Sequence, residues 1–448
     1  MKGCALFHAE DVASEQRRPF PIVRATLLIV VLLGLPGCSI ATVSVPGQGL
    51  QPDPTETAVG EVRQESIEST CSPSPTATSP PIPEPRIPAC GEQQAMLEGE
   101  FIDRELYYSI VPLGNVWPPA HVFPTDHIYF SLLKSDPDNW DSAPVDVPVY
   151  APADIFMVSL ASQEHLYADP PYVDFDIEFV ICSEVRFRLG HMTTLSPVLL
   201  EALENPDSCE EYIAGERLRR GCWLDLSDQD AIFIEQGQLL GTTGGRLGQN
   251  MLDLWATDMR MEPLPFANVD RYWDEYLQTA CPLDYFVEPL SSELRNLFGG
   301  HTGEVQRSIE PTCGQILYDM PGTAQGNWFF NAPSSPEDPH LSLVYDNVDP
   351  NRGVFSIGNA FGDLLPSMKY LFEPADEGTV NRFFSSVTPD GLVYCYEDLS
   401  TPIDGLQQNL TILLSMEDEN TLLVEARPAG SCGAGPWDIS DAALIFNR

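Results

Sequence analysis

The stretch "YVDFDIEFVICSEVRFRLG", residues 172–190, decides how this chain is read. Its residues alternate with a period of two, the pattern of paired strands. It runs into "HMTTLS" (191–196), a polar turn that carries one histidine, His191. Upstream, "PVYAPADIFMVSLAS" (148–162) alternates too and is broken by Pro and Asp, as a strand, a turn and a strand would be. Downstream, "AIFIEQGQLLGTTGGRLGQNMLDLWAT" (231–257) reads as strands separated by glycine turns. "SPVLLEALEN" (196–205) predicts a short helix with Ser196 as N-cap and Pro197 in its first turn.

"DEYLQTACPLDYFVEPLSSELRNLFGG" (274–300) is more helical. Beyond it, "GNWFFNA", "HLSLVYDN", "GVFSIGNA", "MKYLFEP", "GLVYCYED", "LTILLSM", "TLLVEARP" and "AALIFN" read as short strands at regular spacing. "DPNRG", "TPDG" and "EDEN" mark turns between them. Such spacing predicts an antiparallel barrel or sandwich. The expected fold class is therefore mainly β with few short helices. A β domain is expected over 93–262, a partly helical connector over 263–300, and a β-barrel or β-sandwich over 301–448. "GNW" (326–328) is similar to the Gly-x-Trp of lipocalin-like barrels, and a core tryptophan in any barrel also accounts for it.

The N-terminal part reads differently. "ATLLIVVLLGL" (25–35) is an apolar run preceded by Arg17, Arg18 and Arg24. At 1.5 Å rise per residue it is too short to span a bilayer and fits the core of an export signal. It ends in "LPGC" (35–38), which resembles a bacterial lipobox, with Pro36 departing from the usual residue there. Residues 1–38 are thus an expected export signal with Cys38 as lipidation site, and plain signal cleavage stays open. Residues 39–92, densest in "PSPTATSPPIPEPRIP", bury too little apolar surface to fold and predict an extended tether.

The 448 residues carry a net charge of -43. That surface repels nucleic acid phosphates and argues against a nucleic-acid partner. The eleven cysteines agree with an oxidising compartment. Neighbouring candidates for pairing are Cys209–Cys222, Cys281–Cys313 and Cys395–Cys432, with Cys71–Cys90 in the tether region. Cys182 is then left over as a buried free thiol. No CxxC pair exists, so a cysteine-based zinc site is not expected.

Three pieces in order carry a resemblance. "PVYAPAD" (148–154), "GHMTTLS" (190–196) and "GQLLGTTGG" (237–245) resemble segments of the lysostaphin or LytM type of zinc endopeptidase, which cuts peptidoglycan cross-bridges. The likeness covers about residues 120–260. It implies an antiparallel-sheet domain with a catalytic zinc held by His-x-x-x-Asp and by the second His of His-x-His. A separate turn histidine and the first His of that pair would attend the reacting water. On that template the turn histidine is His191 and the first ligand is His127, in "PTDHIYFSL" (124–132). The remaining ligands depart from the pattern. Ser131 stands four residues after His127, and the expected His-x-His reads Met251/Asp253 or Leu252/Leu254, depending on register. The other histidines, His8, His121, His165, His301 and His340, do not restore the spacing.

The resemblance thus predicts a peptidase-like domain that has lost its zinc ligands. No cofactor is expected. A zinc site would need Asp126, His127, His191 and Asp253 to converge, with rings within about 5 Å, since zinc bonds are near 2 Å. "GTTGGRLG" lacks the Gly-Lys-Ser/Thr ending of a phosphate loop, and no Gly-x-Ser-x-Gly elbow is present. The expected function is that of an exported, lipid-anchored protein at the outer face of the bacterial cytoplasmic membrane or cell envelope. It would act as a non-catalytic binding module for an envelope glycan or protein partner. The alternatives are a zinc metallo-endopeptidase with substituted ligands, for which His191 would be catalytic, and a carrier of a small apolar ligand in the C-terminal barrel.

Overall fold

The computed structural model describes residues 87–448 except 93, 138, 140, 169, 215–216, 331–338 and 403–407. The export signal, Cys38, Cys71 and most of the tether lie outside the described residues. Among the described residues the chain is mainly β, and no helix is long and apolar enough to cross a membrane.

The first sheet has eleven strands: β1 (Tyr107–Val111), β2 (His127–Leu132), β3 (Asp146–Tyr150), β4 (Ile155–His165), β5 (Tyr172–Cys182), β6 (Val185–Leu195), β7 (Ser208–Ala214), β8 (Arg217–Asp225), β9 (Ile232–Ile234), β10 (Leu239–Gly244) and β11 (Met251–Asp258). Its main path runs β1-β2-β11-β6-β5-β4-β8-β7, and its pairings are antiparallel. The opening stretch is the β5–β6 hairpin at its centre. Period-two alternation divides the sheet into two faces. Ile128, Phe130, Ile177, Phe179, Phe187, Leu189, Leu252 and Leu254 enter one core. His127, Tyr129, Asp174, Asp176, Arg188, Asp253 and Trp255, two residues apart along their strands, take the other face. The helix α1 (Pro197–Leu203) forms where Pro197 predicts it, but the Ser196 hydroxyl makes no capping bond.

Residues 263–300 are more than a link. The short helices α2 (Asp274–Leu277) and α3 (Leu290–Arg295) and their flanks bury Phe266, Tyr276, Leu283, Tyr285, Leu294 and Phe298 in the same core as the sheet. Each large apolar side chain so buried contributes about 1.5–3 kcal/mol.

The eight C-terminal stretches are strands: β12 (Gly326–Trp328), β13 (Leu341–Tyr345), β14 (Gly353–Ile357), β15 (Met368–Phe372), β16 (Tyr394–Tyr396), β17 (Thr411–Asp418), β18 (Thr421–Arg427) and β19 (Leu444–Asn447). They form two four-stranded sheets, β12–β15 and β16–β19. The sheets meet at two seams, Phe329 with Asn447 and Leu371 with Ser400, and enclose one core. That core is filled by rings: Phe355, Phe372, Phe384 and Tyr396 lie 4.9–5.7 Å apart. Trp328 is fully buried, with the Arg448 guanidinium 4.1 Å over its ring.

The two C-terminal sheets also fasten the loop that precedes β2. Ser356 Oγ donates to the Val122 carbonyl at 2.6 Å, and Asn347 donates to the Pro112 carbonyl at 3.0 Å. Phe123 stacks on His340 and meets Phe329. The segment 112–125, which carries His121 toward the sheet's polar face, is therefore held from the barrel side.

Cysteine pairing corrects one expectation. Cys209–Cys222, Cys281–Cys313 and Cys395–Cys432 are bonded as the sequence predicts. Cys182 is not a free thiol; it is bonded to Cys90, and Cys90 is not the partner of Cys71. The reason is the course of residues 88–90 beside the β5–β6 turn. Ser183 N–H donates to the Pro88 carbonyl at 2.9 Å, and Cys90 N–H donates to Glu184 at 2.8 Å. Sequence distance could not reveal a pairing across 92 residues.

Candidate functional site

The polar face of the sheet gathers four histidines and their acids. Strand β11 settles the register: Asp253 lies opposite Tyr129 on β2 and Gly190 on β6, and Leu252 and Leu254 face the core. Trp255 lies opposite His127 and Arg188. Of the two registers the sequence left open, Leu252/Leu254 lies in the core, and Asp253 of the Met251/Asp253 choice lies on the polar face.

His191 reaches the face by a bulge. Phe175 pairs with Met192 and Ile177 with Leu189, so Gly190 and His191 together oppose one residue of β5. His191 has φ of 63°. A bulge re-aims the side chain and adds local strain of about 1 kcal/mol at a non-glycine residue. The imidazole consequently faces Asp174 and Asp253 from the side that plain alternation would deny it.

The groups then alternate along a line. Trp255 Nε1–H donates to Asp126 Oδ1 at 2.8 Å, and that oxygen is 2.9 Å from His127 Nδ1. His127 Nε2 is 3.5 Å from Asp253 Oδ2, and His191 Nε2 is 3.4 Å from the same oxygen. His191 Nδ1 is 2.9 Å from Asp174 Oδ2. That oxygen lies 3.9 Å from His165 Nε2, and His165 Nδ1 is 3.1 Å from the Tyr167 hydroxyl. His121 packs edgewise on His127, ring to ring at 5.6 Å. His127 and Asp253 are fully buried, and His121, His165 and Asp174 are buried too.

Burial and neighbours set the charges. Burial disfavours the charged ring of His191, but the carboxylates of Asp174 and Asp253 prevail and push it up to about 10. It is an imidazolium at neutral pH. Burial first, then Arg219, lowers His165 to about 3; burial first, then His127, lowers His121 to about 3. Both are neutral. Burial raises Asp253, against the pull of His191 and His127. Asp126 is lowered: burial opposes ionisation, but His127 and the Trp255 N–H stabilise the carboxylate.

A zinc ion does not fit these donors as they stand. Bonds of about 2.1 Å keep any two ligand atoms within about 4.2 Å. Among the described residues no three His, Asp or Glu donors lie within 4.8 Å of one another, except Glu184 with the bonded sulfurs of Cys90 and Cys182, which are no thiolates. The rings of His127 and His191 flank Asp253 from two sides. Ser131, at the expected Asp position, donates instead to the His301 carbonyl at 2.6 Å. Both Asp253 oxygens, His127 Nε2, His165 Nε2 and Asp174 Oδ1 are buried and make no hydrogen bond that meets full geometry. What holds the carboxylates of Asp174 and Asp253 is the His191 cation between them.

His127, His191, Asp253 and Asp126 are therefore brought together, as the sequence allowed. Asp174 and His165 were missed. The alternation of β5 puts Asp174 on a polar face, but only the β4–β5 and β5–β6 registers bring it to His165 and His191. Of the glycines of "GTTGGRLG", Gly241 and Gly244 lie in β10, and Gly245 and Gly248 lie in the turn that follows, with φ of 70° and 89°. The chain matches no protein-family profile, and no curated protein matches it.

Proposed function

We propose that this is an exported, lipid-anchored cell-envelope protein whose first domain resembles a lysostaphin-type peptidase converted to a non-catalytic binding module. One observation carries the reading. Where catalysis needs three zinc ligands and an open fourth position, Asp253 stands between His127 and His191, and among the described residues no three His, Asp or Glu donors lie within 4.8 Å of one another. The segment with His121 packs against His127, and the barrel fastens that segment. The ring-filled barrel core favours binding by the first domain over a ligand carried inside the barrel. The partner is an envelope glycan or an envelope protein.

The test is direct. Purified full chain incubated with cross-linked peptidoglycan sacculi should sediment with them and release no muropeptides, with or without added zinc. Zinc-dependent release would overturn the reading. Anchoring has its own test: Cys38→Ala should move the protein from the membrane fraction to the soluble one.

A second reading is a metallo-endopeptidase with substituted ligands. It is favoured by the spacing of 3.4–3.5 Å from each imidazole to Asp253, which ligands of one zinc would keep. It requires the two rings to swing together on metal binding. Stoichiometric zinc surviving dialysis would select it.

A further inference from the structure

We propose that Trp223 is the platform of a glycan-binding subsite, taking a hexopyranose ring with equatorial substituents. The inference rests on the binding-module reading for its compartment and chooses a glycan over a protein partner.

Two indoles lie on the polar face, and each lies over a glycine. A Cβ on Gly190 would stand 3.0 Å from Trp255 Cζ3, and a Cβ on Gly221 would stand 2.4 Å from Trp223 Cη2. Glycine inside a strand weakens it and marks a close approach. Both glycines are required for the rings to lie across the strand.

The two indoles then differ. The Arg188 guanidinium is 4.7 Å over the Trp255 ring, the His127 ring is 4.0 Å away, and the indole N–H is taken by Asp126. Trp255 is covered. Over Trp223 no ring or guanidinium stacks among the described residues, and the indole lines a shallow depression that is open to solvent. Its other polar walls are Ser159, Asp176, Glu178 and Arg188.

That set of groups selects the ligand. A pyranose with equatorial substituents has a flat face of C–H bonds, slightly positive, which suits the negative face of an indole. Its hydroxyls lie around the rim. Arg188 pairs with Asp176, and Arg186 with Glu178. An ion pair uses only part of a carboxylate's roughly four acceptor sites, so Asp176, part-exposed beside the indole, can still accept a hydroxyl proton. Each carboxylate already has its own guanidinium, so the patch offers no unpaired cation to a polyanion, and the chain's net charge of -43 repels one; a neutral sugar is left.

The experiment is calorimetric titration of the folded full chain with tetramers of β-linked N-acetylglucosamine and of β-linked glucose. Saturable binding of at least one is expected. Trp223→Ala should weaken it by about tenfold or more with the melting temperature kept. If Trp223→Ala does not fold, Trp223→Phe, with its smaller ring, should weaken binding by about threefold. No saturable binding of either tetramer, or a folded Trp223 variant that binds as wild type, overturns the proposal. Its failure is separable from that of the binding-module reading. Sedimentation with sacculi but no tetramer binding removes the subsite alone. Tetramer binding at Trp223 without sedimentation keeps the subsite and removes the envelope assignment.

Discussion

The barrel interior and the polar face of the large sheet are both lined by alternate residues of antiparallel strands, and they are filled in opposite ways. Inside the barrel, Phe355, Phe372, Phe384 and Tyr396 meet ring to ring. On the sheet, Asp126, His127, Asp253, His191, Asp174 and His165 stand in line, most of them buried. Rings repay burial; charges cost several kcal/mol each to bury and must be offset by partners. A fold that only needed stability would fill both faces as it fills the barrel. The contrast sets an apolar interior that stabilises by packing against a sheet face that holds charged groups at a cost in stability.

The largest effect that sharpens this contrast lies in the barrel. Phe355→Ala should cost about 4 kcal/mol in denaturant unfolding, as large-to-small changes in packed cores do. It should leave the titration of His191 unchanged. On the sheet face, Asp253→Ala should cost about 3 kcal/mol, because it leaves the half-buried His191 cation with one carboxylate where it had two. A near-neutral Asp253→Ala would break the comparison.

The pH dependence should come next in size, and its sign follows from the shifts. His191 is raised, so its contribution is fully present below the unfolded value of 6.5 and is lost as pH rises through about 10. His121 and His165 are lowered to about 3, so the folded state takes up fewer protons than the unfolded chain below 6.5. Their contribution is lost as pH falls from 6.5 toward 3. Melting temperature should therefore peak near neutrality and decline on both sides. A flat alkaline limb would deny the imidazolium. The smallest effect belongs to a residue outside both regions. Ser196→Ala should change stability by less than about 0.5 kcal/mol, against the roughly 1 kcal/mol of a working N-cap, since its hydroxyl makes no cap bond.

Period-two alternation made β3 to β6, β9 to β11 and each C-terminal stretch from "GNW" to "AALIFN" legible; β1 and β2 were not singled out, and the region of β7 and β8 read only as an insertion stapled by Cys209 and Cys222. The turn glycines were legible for the same local reason. The site was only half legible. His127, His191 and Asp253 could be singled out by likeness to a motif, but not the line they form, since Asp174 and His165 join it through strand register. Nor could the bulge at Gly190–His191 be read, because nothing in "RLGHMT" distinguishes a bulge from plain pairing. The Cys90–Cys182 bond was hidden by its long separation, whereas Cys209 and Cys222 sit opposite each other on the β7–β8 hairpin.

The sheet face turns on the charge of His191, an imidazolium held between Asp174 and Asp253. Nuclear magnetic resonance of ring-labelled histidine, followed over pH with chelator and then with added zinc, tests it most directly. The account predicts that the His191 ring stays doubly protonated up to pH of about 10 and that neither chelator nor zinc shifts its signals. A His191 ring that is neutral at pH 7 and moves on stoichiometric zinc addition would contradict it.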